Sequence, residues 1–177
     1  MNRRNMLYGG AAAVAAVAGA GVAWWKIRPH DVVMPAASAG PADPFWNLSF
    51  DTPDGQPLAM NSFRGKPLLV NFWGTWCPPC IEELPLLDSF YKANTAKGWQ
   101  VLGLAVDQPS AVRKWLQAKP LAFAVAMAGL DGTQLSKSMG NSSGSMPFTV
   151  VFDAAGQLRH RKTGKVTPEE LNFWVAS

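Results

Sequence analysis

Residues 71–80 read NFWGTWCPPC and hold both cysteines of the 177-residue chain, Cys77 and Cys80, with two prolines between them. Just upstream, Leu68 to Trp73 is the kind of run found in a strand buried on both faces. Downstream, Pro78 and Pro79 suit a first helical turn, where a missing N–H does no harm. Ile81, Leu84, Leu87, Phe90 and Tyr91 then recur at helical spacing to about Ala96. Pro85 lies inside that helix and is expected to kink it, and Gly98 stops it. The stretch is a strand, a turn and a helix, with the cysteine pair at the junction.

Three chemistries compete for such a pair. A closed zinc site takes four nitrogen or sulfur ligands, and the histidines, His30 and His160, lie far away in sequence. Haem attachment of the c type requires His directly after the second Cys, where Ile81 stands. A structural crosslink stabilises in proportion to the loop that it closes, and this loop is two residues long. Redox exchange needs a thiolate, and a thiol of pKa about 8.5 is only about 3% ionised at pH 7. A helix N-terminus at Cys77 lowers that pKa. Cys80 lies one turn behind, within reach of a mixed disulfide formed there. Redox exchange is the favoured reading, and a module that carries copper or holds a partner is the alternative. A peroxidase loop would need Pro, then Thr or Ser, with the Cys three beyond, whereas Thr75 lies two before Cys77.

The remaining elements alternate between strand and helix. Phe45 to Phe50 alternates apolar and polar, Asp54-Gly55 turns, and Leu58 to Met60 returns, which predicts a hairpin. Strands are expected over Gln100–Val106, Leu121–Ala128, Phe148–Asp153 and, at an edge, Gln157–Lys162. Helices are expected over Pro109–Ala118, with Ser110 or Asp107 as cap, over Gly132–Met139, and from Thr167 with Glu169 and Glu170 in its first turn. Gly140 to Ser145 reads as a loop. This pattern predicts an α/β domain of three layers.

The first forty residues differ from the rest. Arg3 and Arg4 precede the uncharged run from Met6 to Trp25, and Lys26 and Arg28 follow it. Twenty helical residues rise about 30 Å, enough to cross a bilayer core. A signal anchor over residues 1–28 is favoured over a cleaved signal peptide, because the small-x-small sites Ala18-Gly19-Ala20 and Ala37-Ser38-Ala39 are badly placed for cleavage. Residues 29–44, PHDVVMPAASAGPADP, read as a tether, and residues 45–177 as the folded domain. The net charge of +4 resides mainly in the leader, since residues beyond 40 carry 12 basic and 11 acidic side chains. A near-neutral body offers no footprint for nucleic acid.

The motif GKPLLVNFWGTWCPPCIEELP, together with SMPFTVVFDAAGQL and the early hairpin, resembles the thioredoxin superfamily. More narrowly it is similar to the membrane-tethered, extracytoplasmic TlpA/ResA/CcmG-like thiol–disulfide oxidoreductases, from about Phe45 to Val175. The resemblance implies a thioredoxin fold: a mixed central sheet flanked by helices, an N-terminal β-hairpin, and an extra strand and helix between Lys119 and Met139. It implies that Cys77 is the nucleophile and Cys80 the resolving thiol. It makes Pro147 a cis proline whose bond to Met146 presents the Met146 backbone to an extended substrate chain; composition alone would suggest a trans proline. Trp76, Pro78 and Pro79 would flank the docking site.

Where thioredoxin carries a buried Asp six residues before the first Cys, this chain has Asn71, which cannot accept a proton. The subgroup instead places a Glu three residues after the second Cys, and Glu83 is there. Helix spacing alone would leave Glu83 solvated, like Glu82. Trp73, Met127 and Met139 read as packing residues. The implied activity is reduction of protein disulfides, of apocytochrome c or metallochaperone type. No cofactor is expected beyond the redox-active Cys77–Cys80 disulfide. The partners implied are a membrane electron donor of DsbD/CcdA type and the membrane itself, on the periplasmic side of the bacterial inner membrane. The dipeptide lacks a His, which disfavours a disulfide oxidase or isomerase.

Overall fold

The computed structural model describes residues 44–177. The proposed anchor over residues 1–28, His30 and the tether up to residue 43 lie outside the described residues. No helix among the described residues is long and apolar enough to cross a membrane.

Among the described residues, seven strands form one mixed sheet. In chain order they are β1 (Ser49–Asp51), β2 (Pro57–Ala59), β3 (Leu68–Trp73), β4 (Gln100–Ala105), β5 (Ala124–Met127), β6 (Phe148–Phe152) and β7 (Leu158–Thr163). Their spatial order is β2-β1-β5-β4-β3-β6-β7, so β7 is an edge strand, as expected. β3, β4 and β5 run parallel, while β6 runs antiparallel to β3. The helices are α1 (Pro78–Asn94), α2 (Pro109–Ala118), α3 (Gly132–Ser138) and α4 (Pro168–Ala176). This is the α/β thioredoxin-like architecture that the resemblance implied, hairpin and insertion included.

Alternation along β3 builds the two cores, because successive side chains point to opposite faces. Leu69 and Trp73 pack with Leu84, Leu87 and Phe90 of α1, Val112 of α2, and Leu171 and Trp174 of α4. Leu68, Val70 and Phe72 pack on the other face with Phe45, Trp46, Met60, Phe148 and Phe152. Every residue of β3 is buried, as its composition predicts. α4 opens on the expected capping box, with Glu170 N–H donating to Thr167 Oγ1 and Thr167 N–H donating to Glu170 Oε2.

Most strand and helix ends fall within a residue or two of expectation, and two segments differ by more. Phe45 and Trp46 lie in a 3₁₀ turn (Pro44–Asn47), and the strand begins only at Ser49. Both aromatics are buried in one core, which a strand could not achieve for adjacent residues. Phe45 stacks on Phe152, and Trp46 Nε1–H donates to Gly156 O at 2.9 Å. The strand expected over Leu121–Ala128 is confined to Ala124–Met127.

Gly103 lies at the centre of the helix-covered face. A Cβ there would stand 2.9 Å from Trp73 Nε1 and 3.2 Å from Phe123 Cε2. Gly103→Ala is expected to destabilise the fold by about 1–3 kcal/mol through overpacking, measured as a lower midpoint in urea with an unchanged slope.

Candidate active site

β3 ends at Trp73, and four residues later Cys77 caps α1. Cys77 N–H donates to Gly74 O at 3.2 Å, which closes the turn. Cys77 and Cys80 are joined by a disulfide. The two cysteines are both buried, Cys77 at 4% exposed and Cys80 wholly so. Cys80 N–H donates to Cys77 Sγ at 3.3 Å. Pro78 and Pro79 have no N–H, so that amide is the first one the helix can offer. A sulfur at this cap meets a backbone donor and the positive end of the helix, both of which favour a thiolate.

The loop carrying Cys77 is latched to the segment after β4. Asp107 Oδ2 accepts both the N–H (2.7 Å) and the O–H (2.6 Å) of Thr75. Trp76 Nε1–H donates to Val106 O at 2.8 Å. The Trp76 ring lies so close to Gly74 that a Cβ there would stand 2.5 Å from Nε1. Trp76 is 61% exposed, beside the exposed prolines 78 and 79. The expected capping of α2 is corrected: its cap is Gln108, without a side-chain bond, and neither Ser110 nor Asp107 caps it through a side chain. Asp107 Oδ1 accepts only the adjacent Gln108 N–H, and its other oxygen is committed to Thr75. Local sequence could not reveal a clamp spanning 32 residues. The parallel register that sets Trp73 beside Ala105 brings the following loops together.

The third element arrives from β6. Its register sets Phe148 opposite Phe72, so Met146 and Pro147 lie beside the end of β3 that leads into the cysteine loop. The Met146–Pro147 bond is cis. Pro147 O accepts Gly164 N–H at 2.8 Å, which ties this loop to the end of β7. Upstream, buried Asn141 donates from Nδ2 to Ser145 O (2.8 Å) and Ser136 Oγ (3.2 Å), and Arg161 Nε–H donates to Met139 O (2.7 Å). Met146 is half-buried and touches both cores.

Glu83 is not on the solvated face that helix spacing suggested. It is 3% exposed, and Glu82 takes the outer position, paired with Lys165 at 2.8 Å. Glu83 Oε1 accepts from Asn71 Nδ2 (2.7 Å) and Oε2 from Val166 N–H (3.0 Å). Asn71 Nδ2 also donates to Thr149 Oγ1 at 3.0 Å. Burial pushes the Glu83 pKa up to about 6, against the opposing pull of the Val166 and Asn71 donors and of Lys165.

Trp73 is buried in the core. His160 lies on β7 between Phe173 and Trp174. Among the described residues no cluster of three or more His, Cys, Asp or Glu side chains is placed to hold a metal ion.

Comparison with known proteins agrees with this geometry. The Redoxin family matches residues 34–173. The thiol–disulfide oxidoreductase ResA of a Bacillus cereus strain is 30% identical over 123 residues, 69% of each chain. A thiol:disulfide interchange protein of the thioredoxin family from Chlorobium tepidum TLS superposes with a TM-score of 0.67 at 27% identity, covering 78% of this chain and 97% of that one. StoA from Bacillus subtilis does so with a TM-score of 0.59 at 25% identity, over 76% and 99%.

Two outcomes follow from the latch and the buried acid. Asp107→Ala should raise the hydrogen-exchange rate of the Thr75 amide at least tenfold, since bonds to a charged acceptor contribute about 1.5–3 kcal/mol each. Folded Glu83 titrates near 6 against an ordinary 4.5. As pH rises past 4.5 the unfolded chain ionises first, so stability falls, and the fall ends once pH passes 6. The loss amounts to about 2 kcal/mol. Chemical denaturation at stepped pH should show this fall in the wild type and its absence in Glu83→Gln.

Proposed function

This chain belongs to the Redoxin family, with ResA-type thiol–disulfide oxidoreductases among its relatives, and from that membership and the geometry of the cysteine pair we propose that it reduces protein disulfides outside the cytoplasm. In the reduced enzyme the Cys77 thiolate attacks one sulfur of a substrate disulfide. A Cys77–substrate bond forms and the other substrate sulfur leaves as thiolate. Cys80 gives its proton to Glu83 and attacks Cys77 Sγ. The second substrate sulfur leaves, and the Cys77–Cys80 bond forms. Two electrons pass to the substrate. A membrane dithiol donor of DsbD/CcdA type then returns two electrons and two protons.

The observation that carries this reading is the Cys80 N–H aimed at Cys77 Sγ at the cap of the helix, with Cys80 itself wholly buried one turn behind. The half-buried Met146 beside the cis bond and the exposed Trp76 supply a place for an extended substrate segment. Direction follows from the dipeptide. Pro78 and Pro79 remove two N–H groups from the helix end, so a Cys77 thiolate gains less stabilisation than at an ordinary cap. Strong oxidants arise where the reduced form is stabilised. A less stabilised thiolate keeps the pair a reductant. Apocytochrome c or metallochaperone cysteines are the substrate class. The basic–apolar–basic leader would hold the domain on the periplasmic side of the inner membrane.

Cys80→Ala should accumulate mixed disulfides with substrate proteins that are absent from Cys77→Ala, detected on non-reducing gels and released by dithiothreitol. Failure to trap any, or a reduction potential near about −120 mV, would overturn the assignment. Glu83→Gln should lower turnover in insulin reduction at pH 7 about a hundredfold. It should also abolish the limb of the pH–rate profile that rises through about pH 6 in the wild type.

A further inference from the structure

Glu83 is a buried acid whose two oxygens have unlike neighbours. Oε2 accepts the peptide N–H of Val166, a donor that the backbone cannot reverse. Oε1 faces Asn71 Nδ2, a donor on a side chain. A proton arriving on the carboxyl is therefore directed to Oε1. There its O–H would confront an N–H of Asn71 across 2.7 Å, donor against donor. The surrounding atoms supply a way out. Asn71 Oδ1 is buried and has no hydrogen-bond partner among the described residues. The other acceptor of Nδ2 is Thr149 Oγ1, a hydroxyl able to accept or to donate. A half-turn about Cβ–Cγ of Asn71 exchanges Oδ1 and Nδ2, two groups of nearly equal size. The carbonyl then accepts from both Glu83 O–H and Thr149 O–H.

We propose that Asn71 is an amide switch, presenting its NH2 to Glu83 when the carboxyl is ionised and its carbonyl when the carboxyl is protonated, with Thr149 reversing its hydroxyl in step. Asn71 is a positioning residue: it touches no substrate and acts through Glu83. β3 and β6 contribute only the neutral Asn71 and Thr149 to this site. The segment after β7 contributes Lys165, whose ammonium is engaged by Glu82. α1 contributes Glu82 and Cys80, and Cys80 in the disulfide has no thiol to titrate. In the resolving step, which rests on the function proposed above, a proton leaving Cys80 for Glu83 Oε1 meets an acceptor once the amide has turned. The Glu83 carboxyl then faces a partner of the matching kind in either charge state.

The test is a pH titration by NMR of the oxidised full-length chain, with labels on the Asn side-chain amides and on Glu Cδ. The Asn71 amide signals should move with the midpoint of Glu83. The contact between the Asn71 NH2 protons and the Thr149 methyl, present above that midpoint, should weaken below it. Amide signals that stay fixed through the Glu83 transition, or an unchanged contact, overturn the switch. Asn71→Leu removes the donor that favours the carboxylate and should move the Glu83 midpoint upward by about one to two units. Should that variant fail to fold, Asn71→Asp retains the shape. Its paired carboxyls should titrate in two separated steps, and a single unmoved Glu83 midpoint counts against the proposal. Titration of the oxidised protein does not depend on exchange chemistry. A failed switch therefore leaves substrate trapping by Cys80→Ala intact, whereas failed trapping leaves the titration readable.

Discussion

The docking of α1 on the middle of the sheet decides both halves of the site. Its buried positions are Cys80, Glu83, Leu84, Leu87 and Phe90, the i, i+3, i+4, i+7, i+10 stripe of one helix face. Glu83 lies at the margin of that stripe, about 40° round the helix from Leu87, and the way α1 docks on the sheet buries it with Leu84 and Leu87. A carboxyl enters the core as a consequence of packing. Asn71 and the Val166 amide are what make it tolerable there, since a buried polar group without partners is far more costly. The same rotation hides Cys80 completely and leaves Cys77 at the cap, beside the exposed Trp76, Pro78 and Pro79. The proposed division of labour between the two thiols would follow from their places on the helix, one at its cap and one a turn behind.

Around that helix end other chain segments converge, held by polar contacts. Asp107 holds the loop before Cys77, Gly164 N–H holds Pro147, and Arg161 with Asn141 shapes the turn before Met146. All follow from β3 having β4 on one side, parallel, and β6 on the other, antiparallel. Exits from β3 and β4 and the entry to β6 then meet at one end of the sheet, where open α/β sheets place their ligands. Trp76 is tied down through its indole N–H although the residue is exposed, so the exposed apolar surface beside Cys77 is held in place.

What the chain revealed before folding follows from where the information resides. β3 and α2 were legible to the residue, because six buried positions in a row and a clean helical period are local signals. Phe45–Trp46 misled, because alternation over a few residues cannot distinguish a strand from a tight turn that puts neighbours into one core. Glu83 read as solvated on spacing alone, because EE after a cysteine looks the same whether the first or the second is buried. Only the docked face separates it from Glu82. The Asp107–Thr75 clamp left no local trace at all, and Asn71 was visible only as the absence of an acid. Those residues are defined by partners 12, 32 and 78 positions away, and the sheet register is what supplies them.

An amide at position 71 is better matched to a proton acceptor than an acid would be. Two carboxyls 2.7 Å apart would hold one proton between them, so one would be unable to accept another near neutral pH. A hydrocarbon would leave Glu83 Oε1 without a donor and push the acid further toward its neutral form. With the amide in place the pKa of about 6 leaves Glu83 mostly ionised at pH 7 and ready to receive. Moving a proton from an ordinary thiol of pKa about 8.5 to an acid near 6 is uphill by about 3 kcal/mol. That is small enough to be recovered when the thiolate is consumed in forming a sulfur–sulfur bond. In the proposed resolving step the acid must also be left hydrogen-bonded after taking the proton, and a side chain carrying one donor group and one acceptor group on the same pivot would meet that condition in both charge states.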